Sequence, residues 1–489
     1  MNRNSIKIAG VIAEFNPFHD GHAYLLKKAR EVTGADFVVV AMSGNFVQRG
    51  TPAVMDKSLR VRAALSHGAD AVFELPVRTA TGSADYFAEG AVRLLTALGV
   101  TDLCFGCETD DLPALKRVAD VLAEESEAFR EALKRGLKDG LSYAAAVQRA
   151  AEEYHVLTSS ELTSILSLPN NLLAISYLKA LRKCGSSIRP NAILRRGAAY
   201  HSEDSVPVSK AFPSAASLRK MMADIQLSSG ASMTKSNVEE KNPKKSNTAG
   251  ADVTVCVSTS GEINSITKAA AEKNRRKSGT NFDEENSITM TTTDATAVFP
   301  SFFDALKPYL SDDLFSLYQP EFGEAFPVFP DDFSGLLGKS LLDLKPEESY
   351  FDCAPDLYRR IYNHRRDFIS FDDFCQRIHT KQFSLASAQR GVLHCMLGLK
   401  AGSKDDLYAA YLPLLGFRRD AGALLKNLSE SSPLPLLSKT CEGRNLPGQR
   451  AVRQWEEIMY SDALYRLVRC CRFGRSFPLP EQAQIIAAE

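Results

Sequence analysis

The chain has 489 residues, 44% of them hydrophobic and 24% charged, which suits a globular protein of two or three domains. Its 59 lysines and arginines balance 59 aspartates and glutamates, so no net charge announces a nucleic-acid partner and any basic surface must be local. No apolar run approaches the ~20 residues of a membrane span, the first residues lack the pattern of a signal peptide, and ten scattered cysteines suit a reducing cytoplasm.

The first strand is expected over Lys7 to Asn16, a short apolar run that Pro17 stops because it has no N–H to donate. From Gly21 onward Ala23, Leu25, Leu26 and Ala29 recur at helical spacing, with Lys27, Lys28 and Arg30 on the other side. His19 and His22 therefore sit in a strand-to-helix turn, where open parallel sheets bind nucleotides. Two imidazoles three residues apart can donate to the charge that builds as a phosphoanhydride breaks. Gly21 between them leaves room for close approach of a nucleotide. Taken alone, a His-x-x-His pair is more often a satisfied surface pair; a metal ligand set is not expected here.

The string Glu14-Phe15-Asn16-Pro17-Phe18-His19-Asp20-Gly21-His22, followed by Met42-Ser43-Gly44-Asn45-Phe46-Val47-Gln48-Arg49-Gly50, resembles the bacterial tRNA(Met) cytidine acetate ligases. His19-Asp20-Gly21-His22 is similar to the His-x-Gly-His signature of the wider nucleotidyltransferase superfamily. That resemblance implies an ATP-dependent ligase that makes N4-acetylcytidine at the wobble position of elongator methionine tRNA from acetate. It implies an ATP site over Ile12, Ala13, Glu14, Phe15, Asn16, Pro17, Phe18, His19, Asp20, Gly21, His22, Ala23, Tyr24 and Leu25, closed by Gly106, Asn171 and Arg195.

Asp36 to Met42 reads as a second strand running into Ser43-Gly44-Asn45, another candidate ligand loop. Asp56 suits the cap of a helix carrying Lys57 and Arg60. These two cations either neutralise the acetate carboxylate or belong to an ordinary capped helix. Ala71 to Pro76 and Asp102 to Gly106 read as strands, with a helix from Ser83 to Leu98 between them. Such alternation predicts a Rossmann-like α/β parallel sheet with helices on both faces. Cys104 is expected in the fourth strand and Cys107 in the loop after it, without metal.

Leu112 to Tyr154 reads as helix with breaks at Gly136 and Gly140. Asn171 is expected to cap a helix from Leu172 to Lys183, and Arg189 to Arg195 to form a fifth strand leading into Arg196–His201. A helix opening at Ser214, with Ser217 and Arg219, offers hydroxyls, N–H groups and a cation suited to a polyphosphate with magnesium. The expected catalytic domain is 1–222. Residues 223–297 are Ser-, Thr-, Asn- and Lys-rich with no apolar period, and read as a disordered insert.

Residues 298–489 read as a mostly α-helical domain for tRNA binding. Basic and aromatic residues interleave at Tyr358–Arg366 and at Arg466, Arg469, Arg472, Phe473 and Arg475, a pattern that suits RNA or simply solvated helix faces. Thr380-Lys381-Gln382-Phe383-Ser384 and Leu412–Phe417 resemble C-terminal landmarks of the family, but Gln382, Ser387 and Gln389 stand where it carries arginines, leaving Arg390. Three other readings stay open: a ligase acetylating a protein-bound thiol, a plain adenylyltransferase, and a non-catalytic ATP-dependent RNA-binding protein.

Overall fold

The computed structural model describes residues 6–124, 126–141, 143–153, 165–195, 212–233 and 303–488. Most of the insert 223–297, and the Arg196–His201 segment, lie outside them. One compact unit takes in Met1–Ile225 together with Leu306–Glu489; the second is Gln226–Ala305. Of the second unit, the structure describes the last turns of a helix ending at Met233 and residues 303–305.

Five strands build the expected parallel sheet: β1 (Ile8–Ala13), β2 (Phe37–Met42), β3 (Ala71–Glu74), β4 (Asp102–Cys107) and β5 (Arg189–Leu194). Their order is β3-β2-β1-β4-β5, every pair parallel. All six residues of β1 are buried, as a strand covered on both faces requires. Helix α1 (Asp20–Thr33) follows β1, α2 (Lys57–Ser66) precedes β3, and α3 (Ala84–Ala97) joins β3 to β4. Connections from β1 and from β4 leave in opposite directions along the sheet, so the crevice outside their C-terminal ends is the topological switch point.

The C-terminal part is mostly helical, as expected, but also adds strands to the sheet. The strand β6 (Leu412–Arg418) adds antiparallel to β3, pairing Ala71 with Phe417 and Phe73 with Leu414. The two-residue β7 (Leu436–Leu437) and β8 (Ile486–Ala488) then pair with β6 in parallel. Residues 298–489 thus share one sheet with residues 1–222. The run Leu412-Pro-Leu-Leu is β-compatible at a point where Pro413 excludes a helix interior. Helices at Pro355–His364, Phe371–Ile378, Leu385–Leu397 and Gln449–Phe473 give this part its helical character.

Smaller differences have local causes. The Leu112–Tyr154 stretch forms three helices, Leu112–Glu124, Glu127–Lys138 and Tyr143–Glu153. Gly136 lies inside the second; a Cβ there would come 3.0 Å from the Ala146 Cβ, so it marks a close helix crossing rather than a break. Gly140, with φ +84°, does make the turn. Cys107 lies within β4, not after it, and burial pushes the thiols of Cys104 and Cys107 up, to about 12 and about 11.

Candidate active site

The turn after β1 is built by its own side chains. Phe15 has φ +49°, an uncommon conformation for a residue with a side chain. The Asn16–Pro17 peptide bond is cis. The Asn16 Oδ1 accepts the Val54 N–H at 2.8 Å, and the Asn16 carbonyl accepts Arg219 Nη1 at 2.6 Å. Phe15 and Phe18 pack edge to face at 4.8 Å, and His22 stands 4.9 Å from Phe15. Tyr318 Oη donates to the Phe18 carbonyl at 3.0 Å.

His19 is the N-cap of α1, with extended φ −148° and ψ 173°. Its Nδ1 accepts the Gly21 N–H at 3.0 Å, while His22 Nδ1 accepts the His19 N–H at 3.3 Å. Two imidazoles thus form the reciprocal box that Ser and Glu ordinarily make at a helix start. Each Nδ1 is an acceptor, so each neutral ring carries its proton on Nε2. Burial holds the His19 imidazole down at about 3, helped by the Arg195 charge. Burial, His19 and Arg195 together hold His22 well below the ordinary range. The rings stack 3.9 Å apart at 32°. The result is a pair of neutral Nε2–H donors at a helix N-terminus, where backbone N–H groups also favour an anion.

Gly21 acquires a further reason beside the one expected. A Cβ on it would come 2.8 Å from His19 Cε1, so the capping ring itself requires the glycine. Ile12 and Ala13 are buried in β1; Ala23, Tyr24 and Leu25 are half-buried on the first turns of α1. Asp20 accepts the Ser311 N–H at 2.9 Å.

Across the switch point, a Cβ on Gly106 would meet Arg195 Cγ at 3.2 Å, so Gly106 lets the arginine lie along the end of β4. Arg195 Nη1 is 3.4 Å from Asn170 Oδ1. Asn171 is not the cap: the helix α4 starts at Pro169 (Pro169–Lys183) with Leu168 as N-cap. Asn171 is fully buried, accepting the Glu108 N–H at 2.9 Å and donating to Thr109 Oγ1 at 2.8 Å. Glu108 does the capping, accepting the Asn170 and Asn171 N–H groups. Helix α5 (Ala215–Met233) begins after Ser214, whose Oγ accepts the Ser217 N–H at 3.1 Å; the Ser217 side chain is exposed. Arg219 thereby ties α5 to the signature turn.

The Ser43–Asn45 loop is held from beneath. Arg60, fully buried, donates to the carbonyls of Met55, Glu14, Ser43 and Gly44 at 2.6–3.1 Å. Its guanidinium is spent on backbone. Lys57 Nζ binds both Glu74 oxygens at 2.9 and 2.7 Å and Asp462 Oδ2 at 2.5 Å. Burial alone would lower the Lys57 ammonium, but the Asp462 and Glu74 charges raise it. Asn45 joins the same network, donating to Asp462 Oδ1 at 2.9 Å. Two carboxylates already neutralise Lys57, which makes it a poor receptor for a third. Asp462, on α6 (Gln449–Phe473), was missed from the sequence. Its signal was a carboxylate in register with the buried Trp455, Ile458 and Tyr465.

The second basic cluster is spent on partners within the chain, Arg475 being the exposed one of its four arginines. Arg466 donates to the Phe477 carbonyl, Arg469 pairs with Asp56, Arg472 with Asp332 and Arg475 with Glu324. Arg390 pairs with Asp352. Tyr358 is buried, its hydroxyl donating to the Lys345 carbonyl. The first cluster retains an outward face. Arg359, Asn363, His364, Lys381 and Gln382 line an open groove of about 520 Å³.

A buried strand end, a histidine-capped helix and an arginine at the switch point define a nucleotidyltransferase. The family model for the HIGH nucleotidyl transferases matches residues 6–283 and 273–470. The tRNA(Met) cytidine acetate ligase of Acetivibrio thermocellus is 32% identical over 441 residues, 89% of this chain and 88% of that one. That of Syntrophomonas wolfei is 46% identical over 205 residues, 42% and 49% of the two chains. The crystal structure of Thermotoga maritima TmcAL bound with alpha-thio ATP superposes with TM-score 0.73 over 99% of both chains at 24% identity, so the fold is the same. The chain belongs to the tRNA(Met) cytidine acetate ligase family.

Proposed function

We propose that this chain activates acetate with ATP and transfers the acetyl group to N4 of the wobble cytidine of elongator tRNA(Met). The observation that carries the reading is the pair of Nε2–H donors fixed by their own capping bonds. Acetate is a poor acyl donor because its leaving group would be oxide. Attack of its carboxylate on the α-phosphorus yields acetyl-adenylate and pyrophosphate. His19 and His22 donate to the charge that develops there, and need no reorganisation because their backbone bonds already hold them. Arg195 and Arg219 border the same turn and supply positive charge for the phosphates.

Among the described residues no cluster of three or more His, Cys, Asp or Glu is placed to hold a metal. Those residues offer no all-protein cage for magnesium. Among the same residues no helix is long and apolar enough to cross a membrane.

The groove around Lys381 supports RNA as the acceptor: it is open, basic and carried on the helical C-terminal part. Lys381 is exposed there. Reversing its charge in Lys381→Glu should raise the KM for tRNA several-fold and flatten its salt dependence by about one phosphate contact. ATP–pyrophosphate exchange should change little.

The direct test is that exchange reaction, run with and without acetate and with and without elongator tRNA(Met). Acetate-dependent exchange followed by N4-acetylcytidine in the recovered tRNA is the expected result. Exchange without any acetate dependence would refute the reading.

A further inference from the structure

Acetyl transfer removes a proton that adenylate formation does not. In the first step the acetate attacks as an anion. In the second, the N4–carbonyl bond forms, the bond from the carbonyl carbon to the phosphate oxygen breaks, and AMP leaves with the electron pair. One N4 proton must go to a base.

The histidines are unsuited to take it. Each Nδ1 is occupied by a backbone N–H, and each Nε2 already carries hydrogen. Most carboxylates around the strand ends are committed elsewhere. Glu108 holds the start of α4, and Asp56 caps α2 and pairs with Arg469. Glu74 and Asp462 hold Lys57, and Asp20 reaches to the Ser311 N–H. Glu14 differs. It is the first residue past β1, half-buried, with Oε1 fixed by the Gln48 N–H at 2.9 Å and, among the described residues, no hydrogen-bond partner on Oε2. Its neighbour across the sheet, Ser43, takes its N–H to Ala13 at 3.1 Å, and the buried Ser43 Oγ has no partner either.

Resting on the function proposed above, we propose that Glu14 Oε2 accepts the cytidine N4 proton as the acetyl group is transferred. The Gln48 N–H fixes one oxygen and so aims the other. The strand end places the carboxylate in the turn that carries both imidazoles. Burial raises the Glu14 carboxyl, against the Gln48 N–H and the Arg219, Arg49 and Arg60 charges, and a raised carboxylate is the stronger base.

The test compares the two half-reactions in Glu14→Gln, whose amide oxygen still accepts the Gln48 N–H. Acetate-dependent ATP–pyrophosphate exchange reports the first step. Single-turnover transfer of labelled acetate to elongator tRNA(Met) reports the second. Transfer should fall about 100-fold or more beyond any fall in exchange, with tRNA affinity held near the parent's. The parent's transfer rate should rise with pH through the Glu14 ionisation, and the variant's should be flat. Glu14→Asp, which keeps a carboxylate, should recover part of the transfer. Transfer and exchange falling together would overturn the proposal, as would transfer within threefold of the parent. A parent without acetate-dependent exchange would overturn the proposed function itself, a result distinguishable because it requires no variant.

Discussion

At the scale of single residues, the site depends on which ring nitrogen carries hydrogen. The backbone decides it, since a helix start leaves N–H groups in need of acceptors and both Nδ1 atoms meet that need. His22→Asn should keep an acceptor for the His19 N–H yet lose the Nε2 donor. Acetate-dependent exchange should drop at least about 100-fold, while the melting temperature stays within a few degrees. An active variant would remove His22 from the mechanism. His19, lowered to about 3, also has a stability consequence. Its folded value lies below the unfolded 6.5, so its stabilising contribution is present above pH 6.5 and is lost as the pH falls towards 3. The stability advantage of the parent over His19→Asn should shrink by up to about 1.4 kcal/mol per pH unit through that window, read from urea unfolding at pH 7, 6 and 5. The His-x-Gly-His pattern and its place after a strand were legible in the sequence. The reason for Gly21 was not, because a 2.8 Å approach to His19 Cε1 exists only once that ring turns back to cap its own helix.

At the scale of elements, α6 and the β2–α2 loop are joined by one buried network of Asn45, Lys57, Glu74 and Asp462. Removing Asp462 leaves the Lys57–Glu74 pair but strips the Lys57 ammonium and the Asn45 amide of a buried acceptor. Asp462→Ala should cost about 1–3 kcal/mol, measured by chemical denaturation. A cost near zero would mean that water already reaches Lys57. Lys57 and Arg60 read from the sequence as candidate receptors for a carboxylate because both are cations next to a strand end. Their partners come from a strand end, a C-terminal helix and four carbonyls, most of them far from α2 in sequence. The arginines of α6 repeat the lesson. Their spacing looked like a basic stripe, yet Arg469 and Arg472 meet carboxylates from distant segments and Arg466 meets a carbonyl just past the helix end.

At the scale of the whole molecule, a sheet begun by residues 8–194 is completed by residues 412–488. A fragment of residues 1–222 would expose the edge of β3 and leave Lys57 without Asp462. It should aggregate or lack a cooperative thermal transition; a monomeric fragment with native near-ultraviolet circular dichroism would contradict that. The sequence by itself determined the five parallel strands, the helix after the first of them, the histidine turn between them and the family, because these rest on local periodicity and on residues within one short segment. The tertiary structure decided which cations are free, which carboxylates are spent, and where the C-terminal strand goes. Such outcomes depend on partners hundreds of residues apart, as Asn45 and Asp462 are, and no local pattern encodes who meets whom.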